Sequence, residues 1–158
     1  MTRIQQLEES VRRQYAAKNP NRAEWADWLS ENHVLVVANN ASQLAKRFGG
    51  NEELARAAAL LHDVADTVMD RFADEHEEAS LEIARKTLRE CGFSDADIGL
   101  VVDDAIRYHS CHDGRVPQSL EGKILATADS LAHLNTDFYI FATWGMGRRQ
   151  QELADVKA

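Results

Sequence analysis

Apolar residues recur along this chain at three- and four-residue spacing and nowhere alternate for more than a few positions. That pattern restricts the fold to packed helices. Val34, Val37, Ala38, Ala41, Leu44, Ala45 and Phe48 fall on one stripe of a helix ended by Gly49-Gly50. Asn51 is placed to cap the next helix, Glu52 to Leu61, which is Ala-rich, apolar on several faces and therefore reads as central and buried. Residues 65–75 are acidic and aperiodic, a loop or short helical turns. A helix from about Glu77 to Cys91 stops at Gly92, and Ser94 with Asp97 makes a capping box before the stripe Ile98, Val101, Val102, Ala105 and Ile106. Gly114 and Pro117 mark a loop over 110–119. Ile124, Leu125, Ala128, Leu131 and Ala132 define a last core helix from about Leu120 to Leu134. At the ends, Thr2 to Lys18 reads as a solvated first helix, Trp25 and Trp28 share one face of a short second one, and the aromatic segment Asp137 to Trp144 packs back on the body. Glu152 to Ala158 reads as a frayed polar tail. The expected architecture is an all-α, single-domain helical bundle over residues 1–158, with N-terminal helices in 1–30, a core in 31–134 and a C-terminal helical segment and tail in 135–158.

Composition narrows the function classes. Eighteen basic residues against 26 acidic ones give a net charge of −8, which disfavours polymeric nucleic acid and a polybasic membrane anchor as partners. No apolar run approaches the length of a membrane span, and Met1 to Glu9 is polar where a secretion signal needs an apolar core. Two cysteines, Cys91 and Cys111, without CxxC spacing, suit neither a disulfide scaffold nor a thiolate metal site, so a cytoplasmic location is expected.

The chemistry lies in which polar groups interrupt the apolar stripes. His33 precedes Val37 by four residues, His62 follows Ala58 by four, His109 follows Ile106 by three, and Asp129 follows Leu125 by four. Each thus points inward on a different helix. A lone histidine on an apolar face is usually a hydrogen-bonded core residue. Four such groups, one a carboxylate, are best accommodated if they meet, and imidazoles meeting carboxylates inside a helical bundle describe a divalent-metal site. The dipeptide His-Asp is weak by itself and occurs twice. His62-Asp63 closes the buried run Ala57 to Leu61, whereas His112-Asp113 lies beside Gly114 and reads as a solvated turn.

The ordered set His33, His62-Asp63, His76, His109, Asp129 resembles the HD-domain metal-dependent phosphohydrolase superfamily. The resemblance spans about residues 31–134 and includes Leu60-Leu61-His62-Asp63-Val64, His76-Glu77-Glu78-Ala79-Ser80, Tyr108-His109-Ser110 and Ala126-Thr127-Ala128-Asp129. It implies that His33, His62, Asp63 and Asp129 hold one ion. Where a second ion is present, it implies that Asp63 bridges and that His76 and His109 hold the second. The implied cofactor is one or two divalent ions, Mn, Fe, Co, Ni or Mg, which activate water for attack on phosphorus. The implied substrate is a phosphate ester or anhydride of a small, nucleotide-like molecule. Asp63 is the expected catalytic bridge, Asp66 a candidate acid or base three residues on, and Lys123 a candidate phosphate contact six residues before Asp129. Arg107 and Arg115 are weaker candidates at the mouth, and His133, four after Asp129, is a candidate outer partner of the ligands. A non-catalytic regulatory module of the same fold and a di-iron oxygenase remain as alternatives, and the oligomeric state is open.

Overall fold

The computed structural model describes residues 1–148, so the expected tail over Glu152 to Ala158 lies outside the described residues. The chain runs through α1 (Arg3–Ala16), α2 (Ala26–Leu29), α3 (Leu35–Phe48), α4 (Glu52–Leu61), α5 (His76–Glu90), α6 (Asp95–Ile98), α7 (Leu120–Asn135) and α8 (Phe138–Arg148). Among the described residues there is no strand, and no helix is long and apolar enough to cross a membrane.

The core forms where α3, α4 and α7 pack on one another. Helix α4 is the hub because it is buried on several faces, with Ala55, Ala57, Ala58, Ala59, Leu60 and Leu61 all inside. Alanines on several faces let neighbouring helix axes approach closely from more than one side. The helix ends follow from local chemistry. Gly49 takes a left-handed conformation (φ 77°) that ends α3, and the Asn51 side chain accepts from the Leu54 N–H to start α4. Ser94 and Asp97 form the expected capping box. At the start of α7, a Cβ on Gly122 would come within 2.4 Å of the Pro117 side chain, so the 110–119 loop can lie against that helix only because position 122 has no side chain.

Two segments wind more widely than an α-helix. Ser30–Val34 is π-helical between α2 and α3, and Gly99–Ile106 is π-helical after α6. Such local unwinding is common beside functional sites. Here the first carries His33, and the second ends three residues before His109.

Two expectations need correction. Helix α1 is not merely solvated: Leu7, Val11 and Tyr15 are buried along one narrow stripe, and the Tyr15 hydroxyl donates to the Asp63 carbonyl oxygen at 3.1 Å. One apolar residue per turn among charged ones is too thin a stripe to stand out by periodicity. Phe48, expected in the core, is 60 % exposed, because it belongs to the last turn of α3, just before Gly49 ends the helix. The aromatic C-terminal segment does pack back. Phe138 is buried, and Phe141 stacks on Trp28 at 4.4 Å between ring centroids.

The loop before α7 is held by one carboxylate. Asp104 accepts from the Gln118 N–H (2.8 Å), the Ser119 N–H (2.9 Å) and the Ser119 hydroxyl. Burial raises its pKa, but these donors outweigh burial and hold it below the ordinary carboxylate range. A depressed folded-state pKa contributes stability that is present above the unfolded value, about 3.9, and is lost as pH falls through the folded value. Replacing Asp104 by Ala is expected to cost about 1 kcal/mol at pH 7. Denaturation compared at pH 7 and pH 3 should show that difference shrink in acid; a constant difference would contradict the assignment.

Candidate metal centre

The inward-facing polar groups meet in one place. His33 comes from the π-helical turn before α3, His62 follows the last residue of α4, Asp63 is the next residue, His109 follows the second π-helical segment, and Asp129 lies in the middle of α7. His33 is fully buried, and His62, Asp63 and Asp129 are nearly so. The Nε2 atoms of His33 and His62 lie 3.2 Å apart. Asp129 Oδ1 lies 3.3 Å from His33 Nε2 and 3.6 Å from His62 Nε2. Asp63 Oδ2 lies 3.2 Å from His62 Nε2. Two triads, His33–His62–Asp129 and His62–Asp63–His109, each have one ligand atom per residue within 4.8 Å of the others.

The backbone decides which ring nitrogens point inward. His62 Nδ1 lies 2.8 Å from the Ala59 carbonyl oxygen, and His109 Nδ1 lies 2.6 Å from that of Ile106. A carbonyl only accepts, so both Nδ1 atoms carry the hydrogen, and both Nε2 atoms of the neutral rings offer lone pairs. Asp129 Oδ1 is buried with no hydrogen-bond donor. Converging lone pairs around an acceptor without a donor are costly in a low-dielectric interior unless a cation satisfies them. Nitrogen and carboxylate donors without thiolate suit Mn, Fe, Co, Ni or Mg. Cys91 and Cys111 belong to neither triad.

Electrostatics reports the same demand. Burial lowers the pKa of His62, but the carboxylates of Asp63 and Asp129 outweigh it and push the imidazole well above its ordinary value. Burial opposes ionisation of Asp63, yet Arg71 and the His62 cation hold it well below the carboxylate range. Burial likewise opposes ionisation of Asp129, but the His33 and His62 rings beside it outweigh burial and lower the value. His33 and His109 are pushed down, first by burial and then by the charge on His62. His62 is thus the histidine of this cluster whose pKa the facing carboxylates raise, while His33 and His109 go down.

A family model described as HD domain matches residues 31–134. The chain belongs to the HD-domain family. Among curated relatives, Ribonuclease Y of Rubrobacter xylanophilus is 35% identical over 101 residues, covering 63% of this chain and 17% of that protein. A deoxyguanosinetriphosphate triphosphohydrolase-like protein of Caldanaerobacter subterraneus is 30% identical over 116 residues, covering 66% of this chain and 33% of the relative. The chain therefore spans a small part of the length of these relatives. A crystal structure described as a predicted HD superfamily hydrolase, from an uncultured Thermotogales bacterium, superposes with a TM-score of 0.66 at 29% identity, over 84% of this chain and 69% of that one.

The remaining candidate residues of this HD protein fall differently. His76 opens α5 and borders the same cavity, but its Nε2 lies 3.0 Å from Asp66 Oδ1 and it belongs to neither triad. Asp66 is fully buried and does not line the cavity. One of its oxygens faces His76 and the other accepts from Arg71, so it is placed to position those two groups rather than to reach a substrate. Lys123 is exposed in a separate groove beside Leu44, Phe48 and Leu120; six residues along a helix are about 9 Å of rise, which carries it away from Asp129. Arg107 pairs with Glu78 at 2.9 Å, and the Arg115 guanidinium lies over the Tyr108 ring. His133 borders the cavity, with its ring stacked on His33 at 5.0 Å. His112, read as part of a solvated turn, is exposed and borders the mouth.

Sequence reasoning missed Arg71. Its guanidinium donates to Asp63 Oδ2 and Asp66 Oδ2, lies 5.5 Å from the Phe138 ring centroid and borders the cavity. It sits in the aperiodic segment, where no stripe marks a buried side chain. The available signal was different: Arg71 is the sole Lys or Arg between Arg56 and Arg85, inside a strongly acidic stretch.

Divalent metal is expected to stabilise the fold. At a hundredfold excess over its dissociation constant, one ion adds about 2.7 kcal/mol, or about 5–10 °C in the melting temperature of a domain this size. Thermal denaturation with Mn or Co, against chelator, measures it. Asp129→Ala should abolish the metal-dependent rise, and Lys123→Ala should keep it.

Proposed function

We propose that this chain is a metal-dependent phosphohydrolase acting on a phosphate ester or anhydride of a small, nucleotide-like molecule. The observation that carries the reading is the convergence of the His62 and His109 Nε2 lone pairs with the Asp63 and Asp129 carboxylates on one cavity of about 240 Å3. His33, His62, Asp63, His109 and Asp129 are the residues that would hold a cation. A divalent ion bound there supplies an activated water and neutralises charge on the phosphate.

The chain's own residues do the rest. The Ala59 and Ile106 carbonyls fix the rings of His62 and His109, so the ligand atoms need little reorganisation on binding. Arg71 holds the Asp63 carboxylate and brings a permanent positive charge to the cavity wall. Asp66 positions Arg71 and His76. The cavity is smaller than the roughly 300–1,000 Å3 of pockets that enclose a whole drug-sized ligand. It suits a phosphate and the atoms next to it, with the rest of the substrate outside.

The ribonuclease relatives favour a second reading, hydrolysis of an RNA phosphodiester. Against it stand the net charge of −8 and the acidic Glu77 at the cavity wall, which repel a polyanion. The test is phosphate release from mononucleotides, dinucleoside polyphosphates, sugar phosphates and aryl phosphates with each metal, beside cleavage of a labelled oligoribonucleotide. Chelator-sensitive turnover of a small phosphate is the expected result. Oligonucleotide cleavage without small-molecule turnover would replace the first reading by the second, and chelator-insensitive hydrolysis would contradict both. Asp63→Asn should lower turnover more than about 100-fold, since losing a ligand costs more than the 10–100-fold typical of a ligand's outer partner. Its circular dichroism should stay helical.

A further inference from the structure

The resemblance that identifies the ligands leaves the choice between one ion and two. We propose that the centre holds a single divalent ion, and that the Arg71 guanidinium occupies the place of the second cation and contacts the substrate phosphate. The inference rests on the metal-centre reading of the same cavity.

Three observations carry it. First, both triads require His62. With Nδ1 donating to the Ala59 carbonyl, the neutral ring has one lone pair, on Nε2. A carboxylate can bridge two cations, but one imidazole lone pair can serve only one, so the two triads are alternative or merged descriptions of one ion's surroundings.

Second, the position a second ion needs is already filled. By the resemblance, such an ion would share Asp63 and draw on His76 and His109. Asp63 Oδ2 accepts from Arg71 Nη2, and His76 Nε2 lies against Asp66 Oδ1, 3.0 Å away. Asp66 Oδ2 accepts from Arg71 Nη1. Arg71 thus closes a chain from Asp63 to His76, bracing two of the three groups a second ion would have to recruit. The guanidinium is held from another side by the rings of Phe138 and Trp25, at 5.5 and 5.8 Å.

Third, the charges balance with one ion. Asp63, Asp66 and Asp129 are buried carboxylates and bring three negative charges. Arg71 and one divalent ion bring three positive charges, with the imidazoles neutral as ligands. A second divalent ion would bring two more positive charges, for which the described residues supply no further buried carboxylate. A guanidinium also presents five donors in a planar fork suited to phosphate oxygens. Two of them are engaged by Asp63 and Asp66, and the side chain borders the cavity in which a phosphate would sit.

The test starts with the unaltered protein, saturated with Mn and freed of loose metal by gel filtration. Elemental analysis should give one ion per chain, and the electron paramagnetic resonance spectrum should show isolated Mn without exchange coupling. Two ions per chain, or a coupled spectrum, overturns the proposal. Calorimetric titration of the Mn-loaded protein with inorganic phosphate should give binding that weakens at least tenfold in Arg71→Met and less in Arg71→Lys, with one ion retained in Arg71→Lys. If Arg71→Met does not fold, Arg71→Lys against the unaltered protein carries the comparison. Phosphate affinity that is unmeasurable in the unaltered protein, or equal in the variants, overturns the phosphate contact. A single ion and Arg71-dependent phosphate binding without turnover of any phosphate would uphold this inference while sinking the proposed hydrolysis.

Discussion

The Asp63 carboxylate is the charge on which the interior of this protein depends. It is buried between His62 and Arg71, and its own backbone carbonyl is anchored by the Tyr15 hydroxyl. An isolated ionised carboxylate at that depth is prohibitively costly. The surrounding helices therefore have to deliver compensating groups, and the topology can be understood as the delivery. Helix α4 ends just before His62, the segment after it returns Arg71, and the π-helical turn before α3 brings His33; α7 adds a second carboxylate, Asp129, that faces the same two histidines. Helix α1 contributes no candidate ligand; through the Tyr15 hydroxyl it holds the backbone of Asp63.

The division of labour between apolar and polar parts follows. Small residues on α4 let α3 and α7 approach closely, and that close approach brings the Nε2 atoms of His33 and His62 to 3.2 Å. Larger side chains on α4 would widen the helix spacing and separate the ligand atoms beyond the reach of one ion, since metal–nitrogen bonds are about 2.0–2.1 Å. Packing density is thus a condition of the chemistry. The cost falls on Asp129 Oδ1, which is buried at this convergence without a hydrogen-bond donor.

Much of this was legible in the residue order. Helices announced by three- and four-residue spacing formed within a residue or two of their expected limits, because caps such as Asn51, Ser94 and Ser119 act locally. His33, His62, His109 and Asp129 could be seen to point inward because each interrupts an otherwise apolar stripe. What was not legible has separate physical causes. Arg71 lies where there is no stripe to interrupt, so its burial depends on Asp63 and Asp66, Phe138 and Trp25, residues brought to it only by the tertiary fold. Lys123 was assigned by its sequence distance from Asp129, but position along a helix does not fix which groove a side chain enters. Asp66 was legible as an acid near the site, though not as a buried one with both oxygens already committed.

Arg71 also links the centre to the aromatic end of the chain. Its guanidinium lies near Phe138 and Trp25; Phe138 in turn packs on His133 at 4.0 Å between ring centroids, and His133 stacks on His33. Burial lowers His133 to about 4, so near neutral pH it packs as an uncharged ring and adds no positive charge beside the ligands. The residues after α7 therefore act on the centre through shape: by covering His33 and one side of Arg71 they exclude water from both. Excluding water strengthens every charge interaction inside, those of Arg71 with Asp63 and Asp66 included. A helical bundle ending at α7 would keep every candidate ligand in its sequence and lose the low dielectric in which those interactions hold.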